Sequence, residues 1–63
     1  MNIITILNTA MEIEKKSAEH YREYANNAED TDIRVLFEQL AREEESHFKQ
    51  LQARLNAYKL MES

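Results

Sequence analysis

The sequence has no cysteine, proline, glycine or tryptophan in its 63 residues. Each absence excludes something. Without cysteine there is no disulfide, no thiolate nucleophile and no Cys-ligated zinc or iron, and the chain fits a reducing cytoplasm. Without glycine or proline the strongest breakers of helices are missing. What remains is rich in Ala, Leu, Glu, Gln, Lys and Arg, so an all-α chain is expected. A surplus of positive charge is also lacking. Eight Lys and Arg stand against twelve Asp and Glu, a formal net charge of −4. That balance speaks against nucleic acid or an anionic membrane surface as partner. Long apolar runs are missing too. The opening "MNIITILNT" has no basic start and is too short to read as a signal peptide or a membrane span. Length allows one domain, residues 1–63, and no internal repeat or linker is visible.

What is present is two apolar periodicities. In the first, Ile3, Leu7, Ala10, Glu14, Ala18, Tyr21, Ala25 and Ala28 recur at steps of three or four. In the second, Ile33, Phe37, Leu40, Glu44, His47, Leu51, Leu55 and Tyr58 do the same. Between them lies "NNAEDTD", residues 26–32, the one cluster of turn-favouring side chains. The pattern predicts an antiparallel hairpin with helices near 3–28 and 32–61. Asp30 or Thr31 can cap the second helix, and Asp32 suits its dipole. Asn2 can cap the first, although "TAME" at residues 9–12 also has the form of a capping box.

Such a hairpin buries only part of each stripe. Chains this small usually need a disulfide, a metal or a partner chain. With no cysteine, self-association is the expected route, and two hairpins closing into a four-helix bundle is its simplest form.

Three ionisable residues interrupt the stripes: Glu14, Glu44 and His47. They also share a level. If the chain folds at residue 30, Glu14 lies 16 residues before the turn, with Glu44 14 and His47 17 after it. At about 1.5 Å per residue the axial offsets are on the order of 2–3 Å. One such residue alone reads as a register-fixing core polar group or a satisfied histidine. Together they read differently. Burying a carboxylate without a partner costs several kcal/mol, by order of magnitude, and no Lys or Arg sits on either midline to neutralise two of them. In a dimer two divalent cations would cancel four glutamates, with two imidazoles completing the ligand set. Off the midline, Glu12, Lys15, Lys16, Glu19, Arg22 and Glu23 read as solvated face. Glu43 borders the stripe, and His20 reads as surface.

One Glu from one helix and a Glu-x-x-His from its neighbour, each supplied twice, is the ligand set of ferritin-like di-iron and di-manganese carboxylate bundles. "EKKSAEHY", residues 14–21, resembles the first helix of a rubrerythrin-type protein, with a tyrosine one heptad after the ligating glutamate. "LFEQLAREEESHFKQL", residues 36–51, resembles the second. The compact spacing is most similar to encapsulated ferritins, whose iron-oxidising centre forms between subunits. The resemblance covers roughly residues 10–55.

It implies a ferritin-like four-helix bundle made by a homodimer or a multiple of dimers, with two Fe ions per dimer, or Mn in their place. It implies Glu14, Glu44 and His47 as metal ligands and catalytic residues, with Tyr21 close behind them. The implied activity is oxidation of Fe(II) by dioxygen for iron storage or detoxification. An encapsulin-type shell is the implied partner, and a cytoplasmic nanocompartment the implied location. Two other readings remain. One is a rubrerythrin-like peroxide reductase, which would need a separate electron donor because the chain has no four-cysteine module. The other is a non-enzymatic helical oligomerisation module whose core polar residues only fix register.

Overall fold

The computed structural model describes residues 2–62; Met1 and Ser63, the two ends of the expected domain, lie outside that span. Two helices form the described chain: α1, Ile3–Asn27, and α2, Thr31–Glu62. Both match the expected bounds to within a residue. A helix of 32 residues is about 48 Å long at 1.5 Å per residue. The 49 Å long axis of the molecule is therefore α2 itself, with α1 folded back along it.

Local chemistry explains both starts. The Asn2 side-chain oxygen accepts from the Ile4 N–H at 2.7 Å, and the Asn2 carbonyl accepts from Ile6 N–H at 3.1 Å. Thr9 and Glu12 of the "TAME" box lie inside α1, which Asn2 has already capped. Asp30 rather than Thr31 caps α2, accepting from the Ile33 N–H at 3.1 Å. Asp32 in the first turn and Lys59 in the last both favour the helix dipole. The turn needs no glycine, because no described residue has a positive φ. Ala28 is extended, and its carbonyl accepts from the Arg34 guanidinium at 3.2 Å, which ties the end of α1 to the start of α2.

The helices meet along a seam that steps alternately by three and four. Ile4, Leu7, Met11, Glu14, Ala18, Tyr21 and Ala25 line it from α1, and Phe37, Ala41, Glu44, Phe48, Leu51, Leu55 and Tyr58 from α2. All are half-buried or buried. This corrects the expected stripe. Ile3 and Ile33 are exposed, Phe48 takes the place given to His47, and Met11 and Ala41 join the half-buried Ala10 and Leu40 on the inner face. Two antiparallel helices keep contact only along a strict seven-residue repeat, and several chains of three- and four-residue steps fit one apolar face.

Ala18, Ala25 and Ala41 are three of the four buried residues among those described, and small side chains let the helix backbones approach closely. Toward the turn, Phe37 packs against Tyr21 and Tyr24 with ring centroids 5.9 and 5.4 Å apart. Such aromatic pairs add about 0.5–1.5 kcal/mol each beyond area burial. No large side chain is fully buried among the described residues, so the hairpin has a seam and no core. None of its helices is long and apolar enough to cross a membrane.

Candidate metal centre

Glu14 and Glu44 occupy facing seam positions near the middle of the hairpin, and His47 stands one turn beyond Glu44. Its Nδ1 is 3.5 Å from Glu14 Oε2 and 3.4 Å from Glu44 Oε1. Each of the three residues offers a donor atom within 4.8 Å of the other two. The structure thus brings together the three residues that turn-counting aligned.

One expectation about them is corrected. His47 does not sit on the midline: Phe48 fills the seam there, and the His47 side chain is 51% exposed against 24% and 22% for the two glutamates. The imidazole therefore approaches the carboxylates from the flank of the hairpin. Its contacts are longer than a directed hydrogen bond, which runs about 2.7–3.2 Å.

The electrostatics are those of a site short of positive charge. Glu14 Oε2 is buried and has no hydrogen-bond partner. Buried acceptors left this way are uncommon in folded proteins. The carboxyl of Glu44 is raised above its ordinary value, first by its hydrogen-bonding contact with Glu14, then by burial and by the Glu14 charge. The nearby His47 imidazole opposes the rise. Neither glutamate is in an ion pair with Lys or Arg among the described residues.

Two carboxylates and one imidazole suit iron, manganese or zinc, and three ligands leave coordination positions open. Donors held at about 2.0–2.2 Å from one ion lie at most about 4.4 Å apart. The three donor atoms here lie within 4.8 Å of one another, close to that span.

Tyr21 follows Glu14 by one heptad on the same seam, but its ring belongs to the aromatic cluster with Phe37 and Tyr24. It makes no hydrogen bond to the three ligand candidates among the described residues. His20 is exposed beside Tyr24, with ring centroids 6.4 Å apart. Glu43 is exposed and accepts from the Gln39 amide at 3.3 Å, outside the cluster.

Sequence reasoning placed Leu7 and Leu51 beside the site but passed over Gln50 and Arg54. Leu7, Leu51, Gln50 and Arg54 line a cleft of about 390 Å³ with Glu14 and His47. Gln50 and Arg54 follow His47 by one and two turns on the same helix face, so the same counting finds them. Glu14 also reaches a larger groove of about 1000 Å³ on the opposite flank, beside Ala18, Arg22, Glu45 and Phe48. A carboxylate open to both flanks can receive a cation from one side and share it on the other.

The chain belongs to a family described as a domain of unknown function (DUF2383), whose model matches residues 2–62. No curated protein and no solved structure matches it.

Proposed function

We propose that this member of the DUF2383 family is a non-haem di-iron protein of ferroxidase type. Two hairpins close into a ferritin-like four-helix bundle that binds two Fe ions, or Mn, between its subunits and oxidises Fe(II) with dioxygen. One observation carries this reading: Glu14, Glu44 and His47 converge from two helices around a buried carboxylate oxygen that has no partner.

Each residue has a part. Glu14 and Glu44 supply the negative charge that holds a divalent cation. His47 supplies a neutral nitrogen donor from the flank. The Glu44 carboxyl holds a proton more tightly than usual, so protons compete there with a cation and binding becomes weaker as pH falls. When bound, ferrous iron is both substrate and electron source for the reduction of dioxygen. The formal charge of −4 draws cations toward the chain. An encapsulin-type shell would provide a destination for the ferric product.

The test is direct. Protein loaded anaerobically with Fe(II) and then exposed to air should develop ferric absorbance over several turnovers without an added reductase. Glu14→Ala should abolish the effect, and Zn(II) should inhibit it by occupying the same ligands without redox chemistry. Oxidation that stops after one equivalent per site, or that merely matches iron in buffer, would refute the activity. Faster consumption of hydrogen peroxide with a reductase would move the assignment to a peroxide reductase.

A second reading is favoured by the exposed apolar flank, which needs no metal to drive assembly. In that reading the chain is an oligomerisation module alone. Metal content after purification from metal-replete medium separates the two.

A further inference from the structure

The seam leaves a second apolar strip uncovered on α1. Ile3, Ile6, Ile13 and Tyr24 stand exposed on it, Ile13 at 60%. Ala10, Ser17 and His20 fill the gaps at the same three- and four-residue steps. The strip lies on the flank from which His47 approaches, as the pairing of the other flank shows. There Arg22 and Glu45, each one step off the seam in the other sense, meet at 2.8 Å.

The strip has a centre. Its ends, Ile3 and Tyr24, are equidistant from a point between Ile13 and Glu14. A two-fold axis through that point lays α1 antiparallel on its own copy. Ile3 then faces the partner's Tyr24, Ile6 the partner's His20, and Ala10 the partner's Ser17, while Ile13 meets the partner's Ile13. Large side chains oppose large ones at the ends and small oppose small between, as self-complementary packing requires.

α2 agrees with the same axis. Tyr21 stacks on Phe37 and Glu14 contacts Glu44, so the numbers of level residues in the hairpin add to 58. The axis therefore crosses α2 beside Glu44. Two charges on this flank lack a counter-ion. Arg54 has no hydrogen bond or ion pair among the described residues, and Glu43 contacts only the neutral Gln39 amide. About the proposed axis, Glu43 lies eight residues along α2 from the level of the partner's Arg54. The Arg22–Glu45 pair spans nine residues in the same sense, because antiparallel side chains each tilt toward their own helix N-terminus.

We propose that this flank binds a second copy of the chain about a two-fold axis at the level of Ile13, Glu14 and Glu44. Ile13 packs on its symmetry mate, and Glu43 pairs with the partner's Arg54 twice per dimer. The inference rests on the dimeric reading above and sharpens it. The axis level puts both Glu14, Glu44 and His47 clusters side by side, so each adds the same three ligands to a shared site.

The absence of native cysteine makes the test clean. Ile13→Cys supplies a single thiol at the axis, where two Cα atoms fall within the roughly 4.4–6.8 Å that a disulfide spans. Under mild oxidation, at a concentration where the parent sediments as a dimer, Ile13→Cys should cross-link to near completion. Glu19→Cys, on the charged flank, should not. Glu43→Arg and Arg54→Glu should each raise the dimer dissociation constant about fivefold or more, and the double swap should return it to within about twofold of the parent. Cross-linking of Ile13→Cys no faster than Glu19→Cys, or a double swap no better than the singles, would overturn the register.

The result is separable from the metal assignment. Ile13→Cys combined with Glu44→Ala should still cross-link, because the contact is made by side chains and not by the ion. If the parent binds no iron while Ile13→Cys cross-links, the metal reading falls and the interface stands. If one iron per chain binds and oxidises while cross-linking fails, the interface falls and the metal reading stands.

Discussion

On one flank of the hairpin Arg22 and Glu45 join the helices at 2.8 Å, with Lys15, Glu19 and Lys49 around them. On the other, Ile3, Ile6, Ile13 and Tyr24 of α1 lie exposed alongside Ile33 and Leu36 of α2, and the cleft at His47 opens between the helices. The two flanks are equally distant from the seam, so the backbone does not distinguish them. Composition does. The charged flank closes on itself and needs nothing more. The apolar flank leaves surface that water penalises at roughly 25 cal/mol per Å². The Glu14, Glu44 and His47 cluster opens on this apolar flank, so the proposed assembly would cover the proposed site.

The strongest way to break this contrast is Ile13→Asp. Two isoleucines lose their burial, about 1.5–3 kcal/mol each, and two charges enter the contact. Self-association should weaken by about 10²- to 10⁴-fold, read as a fall in sedimenting mass with loss of helicity on dilution. A charge change on the charged flank, Glu19→Lys, should leave the mass unaltered.

Ala41→Leu asks whether the seam itself is as tightly set as its alanines imply. Ala41 is 0% exposed, and overpacking a close helix contact costs about 1–3 kcal/mol. The melting temperature should fall, with both flanks otherwise intact. An unchanged melt would mean that the helices do not approach closely there.

A smaller effect should follow pH in the metal-free chain. The Glu44 carboxyl is raised in the folded state, so folding favours its protonated form. Its contribution is unfavourable above the raised value, relaxes as pH falls through it, and vanishes below the unfolded value of about 4.5. Between neutral pH and that point the parent should gain stability relative to Glu44→Gln, whose melt lacks this slope. With metal bound the direction should reverse, since protons then compete with the cation. Equal slopes for parent and variant would remove Glu44 as the source.

Arg22→Ala should matter least. The pair is nearly half exposed at both ends, and exposed ion pairs are worth about 0–1 kcal/mol. A loss much above that would mean that the charged flank, too, contributes to assembly.

The amino-acid sequence alone determined the two helices, because a chain without glycine or proline offers one polar break, and Asn2 and Asp30 stand where caps are needed. It also determined that Glu14, Glu44 and His47 would meet, because a constant rise per residue makes the level of a side chain countable from the turn. It could not determine which of several overlapping stripes would face the other helix. Ala10 and Met11, Leu40 and Ala41, His47 and Phe48 are adjacent on one broad face, and each fits a three- or four-residue step. The tertiary structure put Phe48 in the place given to His47 and added Met11 and Ala41 to the inner face, since only a strict seven-residue repeat keeps two crossing helices in contact along their length. That choice moved His47 from the midline to the flank and left Glu14 Oε2 buried without a partner, features that depend on how the two helices are rotated against each other.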